Sequence, residues 1–209
     1  MALTKQGQQT PVPTGLDGEL KLAKIWDLPS RLFHWLLAVS VMIGWYLGEY
    51  RTFSTIDWHM YLGQATGWLL VFRLYWGFYG PPSAQFKNIV PHRTELFAYM
   101  KRIKNRTPSG IKGHNPIGGL SVVALLIVLS IQVTTGFFAE DDGLFASGPM
   151  SKYIDSSWIL FANKIHYQSS RIILILIVLH FAAITFYHLW KREDLIWPMI
   201  TGWKWVRSK

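Results

Sequence analysis

The chain has 209 residues, half of them hydrophobic and only 16% charged, with 11 Trp, 9 Tyr and 12 Phe. An ordinary soluble domain carries more charge, and aromatics in such number suit a chain that meets membrane–water interfaces several times. It contains no Cys, which excludes a disulfide framework, Cys-ligated iron–sulfur clusters, thioether-attached haem and a thiol nucleophile, and leaves any metal to its seven His. The net charge of +9 does not point to nucleic acid, because the basic residues lie between apolar stretches and not in a stripe on a soluble surface.

In chain order, residues 1–24 are polar and rich in Gln, Thr, Pro and Gly, and read as a flexible tail with neither a secretory signal nor a core of their own. A first span is expected over about 31–49, where the 17 residues between Arg31 and Glu49 carry no formal charge, close to the lower limit for crossing hydrocarbon. A second is expected over 58–79, interrupted near its far end by Arg73, whose long side chain is expected to reach the headgroups. A basic segment, 80–115, follows. The third span, about 116–139, is the clearest: the 25 residues from Asn115 to Ala139 are uncharged and begin with Asn115-Pro116, a pattern that starts helices. The fourth, about 161–190, has 19 uncharged residues from Ile172 to Trp190 and extends back through Arg171. Residues 203–209 form a second tail. The expected fold class is all-α, an integral membrane four-helix bundle formed by residues 25–202.

Charge asymmetry gives the expected orientation. Sixteen Lys and Arg fall before span one, between spans two and three, or after span four, whereas the other two loops hold three, Arg51, Lys152 and Lys164. By the positive-inside rule both termini face the cytoplasm. Within the basic segment, Thr94 to Ile103 sets Leu96, Phe97, Met100 and Ile103 on one side with Lys101, Arg102 and Lys104 beside them. That pattern fits a helix lying on an anionic leaflet, and equally a solvated basic loop.

Four histidines then fall at matched depths. His34 lies near the cytoplasmic start of span one and His180 towards the cytoplasmic end of span four, while His59 and His166 lie near the opposite ends of spans two and four. Fourteen residues separate His166 from His180, an advance of roughly 21 Å that keeps both on much the same helix face. Any one such histidine serves equally well as an interhelical hydrogen-bonder. Four together are better explained by two metal centres, each held by two neutral imidazoles, and such a pair suits iron in a porphyrin, since zinc takes three or four protein ligands. Gly44, Gly48, Gly63, Gly67 and Gly136 remove side chains where a flat ring would approach backbone, or else serve helix packing.

The strings Lys24-Ile25-Trp26-Asp27-Leu28-Pro29-Ser30-Arg31-Leu32-Phe33-His34-Trp35, Trp58-His59-Met60-Tyr61-Leu62-Gly63 and Gly113-His114-Asn115-Pro116-Ile117-Gly118-Gly119, with the His166 to His180 spacing, resemble the prokaryotic cytochrome b561 family and its branch of b-type cytochrome subunits of nickel–iron hydrogenases. The resemblance runs from about Lys24 to Gly202. It implies a multi-pass protein of the bacterial inner membrane that carries two haem b, with His34/His180 and His59/His166 as axial pairs, and that exchanges electrons with quinone.

A haem held by two His has no open position, which favours outer-sphere electron transfer over chemistry at the metal. The expected role is therefore an electron-transfer subunit between the quinone pool and a periplasmic partner, a c-type cytochrome or a hydrogenase subunit; the alternative is a stand-alone quinone-linked oxidoreductase such as a superoxide oxidase. Arg31, Arg73, Arg171 and Lys191 are candidate partners for the haem propionates, with snorkelling to the interface as the other role for Arg171. His114 and His188 are candidate proton handlers for quinone chemistry, or ordinary interfacial histidines.

Overall fold

A computed structural model describes residues 20–106 and 113–207, and these are mostly helical. Four long helices carry the fold: α1 (Leu28–Glu49), α2 (Ile56–Tyr79), α5 (Pro116–Phe138) and α6 (Ser156–Leu189). Two short helices, α3 (Phe86–Ile89) and α4 (Arg93–Arg102), lie between α2 and α5, and α7 (Ile196–Thr201) follows α6. Strand β1 (Leu20–Lys24) precedes α1 and β4 (Trp203–Arg207) follows α7; β2 (Glu140–Asp141) and β3 (Ala146–Ser147) form a hairpin between α5 and α6.

Local chemistry sets the helix starts. Asp27 caps α1, its carboxylate accepting from the Ser30 amide at 3.2 Å and the Ser30 hydroxyl at 2.7 Å, with Pro29 in the first turn. The same carboxylate accepts from the Trp76 indole at 2.9 Å, which ties the start of α1 to the end of α2. Asn115 caps α5 in the same way, accepting from the Gly118 amide at 2.8 Å, with Pro116 at the first position. These caps explain why α1 begins at Leu28, earlier than the charge-free run suggests. Likewise α6 starts at Ser156, so Lys164 and Arg171 are borne on one uninterrupted helix of 34 residues.

The helices meet on a small apolar core. Leu70 of α2, Leu129 of α5 and Ile173 of α6 are each 5% exposed, and Leu37, Val41, Leu126 and Ile177 pack around them. Outward-facing positions are apolar as well. Three helices, α1, α5 and α6, are long and apolar enough to cross a membrane. Their hydrophobic faces are largely uncovered by protein, as lipid-facing surfaces are, with exposed Leu36, Val39, Ile127, Ile175 and Val178 among them. The expected second span, α2, has the length at 24 residues but falls short in composition, because Asp57, Gln64, Arg73 and its many Trp and Tyr lower its hydropathy.

Two features depart from the sequence expectations. Residues 20–24 and 203–207, expected in tails, pair as antiparallel strands, with Lys21 opposite Val206 and Ala23 opposite Lys204; five residues on each side, almost a whole chain length apart, leave too short an alternating pattern to be read locally. Gly202, with φ 87°, turns α7 into β4, and its carbonyl accepts from Ile25 at 2.8 Å. Arg73 does not reach the surface. It is 6% exposed, with its guanidinium 5.0 Å from the Phe86 ring centre and 6.0 Å from that of Phe33, because α3 folds back over the end of α2. In the basic segment the helical reading of Thr94 to Ile103 agrees with the helix α4, which buries Tyr99 while Phe97 and Met100 stay exposed.

Candidate functional site

The four histidines singled out by depth meet in two pairs. His59 on α2 and His166 on α6 have ring centres 6.1 Å apart, and His34 on α1 and His180 on α6 have theirs 6.4 Å apart. Two imidazoles that ligate one metal from opposite sides, each at about 2 Å, have ring centres roughly 6 Å apart. Both pairs meet that condition, and all four rings are half-buried.

The surroundings of the His59/His166 pair fit a ligand role. The His59 Nδ1 lies 2.9 Å from the Gly44 carbonyl of α1, and the His166 Nδ1 lies 2.9 Å from the Gln132 carbonyl of α5. With the proton on Nδ1, each ring donates to a helix carbonyl and leaves Nε2 unprotonated, the usual arrangement behind a metal-bound histidine. Glycines admit the rings: a Cβ at Gly48 would lie 2.8 Å from the His59 Cε1, and one at Gly136 would lie 2.9 Å from the His166 Cε1. A Cβ at Gly44 meets only Leu62 at 3.7 Å and one at Gly63 meets nothing within 4 Å, so neither glycine makes room for a histidine ring; Gly67 packs on Val133 and Phe137.

Sequence reasoning missed Gln132. Its amide nitrogen lies 3.0 Å from the His166 Nε2, and its amide oxygen accepts from the Ser169 hydroxyl. Thr135 adds a hydroxyl 3.4 Å from the His166 Nδ1. A lone amide in an otherwise apolar span, with a serine three residues after a histidine on the facing helix, was the available signal.

At the His34/His180 pair the His34 Nδ1 is buried without a hydrogen-bond partner, and so are one nitrogen each of Arg31 and Arg73. Unpartnered buried nitrogens are costly. A haem carboxylate would satisfy the two arginine nitrogens, so the residues present fit the group. Arg31 otherwise donates Nη1 to the Ile200 carbonyl of α7. The other two candidate anion partners are already engaged: the Arg171 Nη2 lies 3.1 Å from both Glu49 oxygens and 3.2 Å from the Tyr167 hydroxyl, and Lys191, 3% exposed, reaches the Arg102 carbonyl at 3.5 Å.

His114 and His188 separate clearly. His114 stacks edge-on against Trp26 with ring centres 4.6 Å apart and lies close enough to Arg73, His34 and His180 to interact electrostatically. Burial first, and then Arg73, pushes the His114 imidazole down to about 4. His188 is exposed on the last turn of α6 and joins neither pair.

At the opposite end the β2–β3 hairpin is tied to the neighbouring loop and helices. Arg51 bridges to Asp141 at 2.6 Å, Asn163 exchanges two hydrogen bonds with the Glu140 backbone, and Gly148 donates to the Ala139 carbonyl at 2.8 Å. The Arg51 hydrogen bond holds the Asp141 carboxyl below its ordinary range.

Comparison with known proteins gives a concordant answer. The family described as prokaryotic cytochrome b561 matches residues 25–202. A probable Ni/Fe-hydrogenase B-type cytochrome subunit of Azotobacter vinelandii is 22% identical, over 90% of this chain and 92% of its own length. The protein of the same name from Rhizobium leguminosarum bv. viciae is 22% identical over 85% of this chain and 87% of its own. No solved structure matches.

Proposed function

The chain belongs to the prokaryotic cytochrome b561 family, a family of haem-b membrane electron carriers, and from that premise we propose that it is a four-span, di-haem wire of the bacterial inner membrane. In this reading both termini face the cytoplasm, electrons pass between the quinone pool and a periplasmic redox partner, and the partner is a hydrogenase subunit, as the relatives' names suggest, or a c-type cytochrome. The observation that carries the proposal is the two imidazole pairs, 6.1 and 6.4 Å between ring centres, with both pairs sharing α6. Haem b ligated in this way supplies one-electron outer-sphere transfer and no open coordination position.

The chain's own residues do the positioning. His59 and His166 keep their orientation because α1 and α5 carbonyls accept their Nδ1 protons, and Gly48 and Gly136 leave the rings room to stand between helices. Arg73, buried, and Arg31, whose Nε is buried, would hold propionates of the cytoplasmic group. Arg171 instead clasps α6 to the end of α1 through Glu49. His114, neutral at pH 7 and beside the cytoplasmic pair, is the group placed to exchange a proton with quinol; His188, exposed and remote from both pairs, is not.

The test is reduction by quinol. In liposomes holding the purified chain, a short-chain quinol should reduce the b-type absorbance, and His114→Gln should slow this step while leaving dithionite reduction complete. Failure of quinol to reduce the wild-type protein would reject the quinone link.

A further inference from the structure

Apart from the histidine pairs, the end of α6 also meets α4 and the residues that follow it. A groove of about 480 Å³ lies there, lined by Ile103, Lys104, Phe186 and Trp190. Its walls are aliphatic and aromatic. The Trp190 indole N–H donates to the Lys104 carbonyl at 3.2 Å, which fixes one wall, and the Arg106 guanidinium stands over the same indole at 5.1 Å. Lys104 lines the groove and Arg106 stands over its indole wall, both exposed, with exposed Lys101 and Arg102 preceding them in the chain; no Asp or Glu occurs between residues 96 and 106. The nearest acids on the α6 side are already engaged: Glu193 is buried against Lys204 at 2.6 Å, and Asp194 accepts from the Ile196 and Trp197 amides at the start of α7. The groove therefore joins an apolar slot to positive charge that no acid pairs with among the described residues, beside a helix apolar enough to span a membrane.

An occupant must supply hydrocarbon and negative charge a few bonds apart. We propose that the α4–α6 junction is a binding site for an anionic phospholipid, with one acyl chain in the groove and the phosphate on Lys104 and Arg106. A zwitterionic lipid fills the slot but leaves these cations uncompensated, since basic pockets at helix ends favour anionic headgroups. The bound lipid pins α4 to α6 next to the Tyr99–Tyr187 hydroxyl contact of 2.7 Å. This site depends on the chain lying in a membrane and not on the haem assignment.

Native mass spectrometry of the haem-loaded full chain in detergent tests the proposal, with phosphatidylglycerol and phosphatidylcholine of identical acyl chains as probes. The wild type should retain phosphatidylglycerol in preference to phosphatidylcholine. Lys104→Gln with Arg106→Gln should lower phosphatidylglycerol retention by roughly fivefold for each cation removed, with the haem spectrum unchanged. Trp190→Ala should weaken retention too, and Lys152→Gln with Lys164→Gln at the other end of the helices should leave it intact. Equal retention of the two lipids by the wild type would overturn the site, and this result needs no variant to fold. So would an undiminished preference in the Lys104/Arg106 variant, or an equal loss in the Lys152/Lys164 variant, which would show a general effect of charge.

Discussion

His59 and His166 face each other with ring centres 6.1 Å apart, and each is held from behind by a different helix, His59 by the Gly44 carbonyl of α1 and His166 by the Gln132 carbonyl of α5. One pair of rings thus depends on all four long helices. The His34/His180 pair is built differently: the His34 Nδ1 is buried without a hydrogen-bond partner. This difference decides what each substitution should do.

Replacing a ligand should remove one centre and spare the other. His166→Ala should leave a single b-type haem with the signal of the His34/His180 pair, and His180→Ala the converse, as read by haem quantification and low-temperature electron paramagnetic resonance. Retention of two bis-imidazole signals in either variant would mean that the pairing is wrong.

The glycines against the rings are equally specific. Gly48→Ala and Gly136→Ala each set a methyl carbon within 3 Å of an imidazole carbon, closer than real Cβ contacts come, so the ring must shift; overpacking of this kind costs about 1–3 kcal/mol. Both variants should lower haem occupancy at the His59/His166 centre alone.

Arg31 and Arg73 should tune the other centre. Removing a buried positive charge disfavours the reduced, more negative state, so Arg31→Gln and Arg73→Gln should each lower that centre's midpoint potential by on the order of 50 mV, equivalent to about 1 kcal/mol for one electron. Arg171→Gln, whose charge is engaged by Glu49, should move neither potential by a comparable amount. A spectroscopic redox titration separates these outcomes.

His114 gives the pH dependence. Its imidazole is pushed down from 6.5 to about 4 in the folded chain, so above pH 6.5 both folded and unfolded states are neutral and the group has no effect. As pH falls from 6.5 towards 4 the unfolded state takes up the proton first, and stability is lost across that window, by up to about 3 kcal/mol. Thermal unfolding between pH 7 and pH 4 should show a steeper loss in the wild type than in His114→Gln.

Much of this arrangement was legible because histidine depth along a helix follows from residue count alone: His166 and His180 lie fourteen positions apart on one helix, and the span order supplies their partners. Gly136 was legible as a small residue at ring depth. What was not legible came from contacts distant in sequence. Arg73 looks interfacial in its own helix, and only the return of α3, which brings Phe86 over it, makes it buried. Gln132 carries no periodic signal, and its meeting with His166 and Ser169 depends on how α5 packs on α6. Strands β1 and β4 pair across nearly the whole chain, and neither has the length to announce itself.

The central claim is that two centres are held by two histidine pairs. The most direct measurement is the haem b content per chain of the purified wild-type protein, combined with a redox titration of its reduced-minus-oxidised spectrum. Two haem b per chain, titrating as two one-electron steps, is the predicted result; a single haem per chain, or none, would contradict the account.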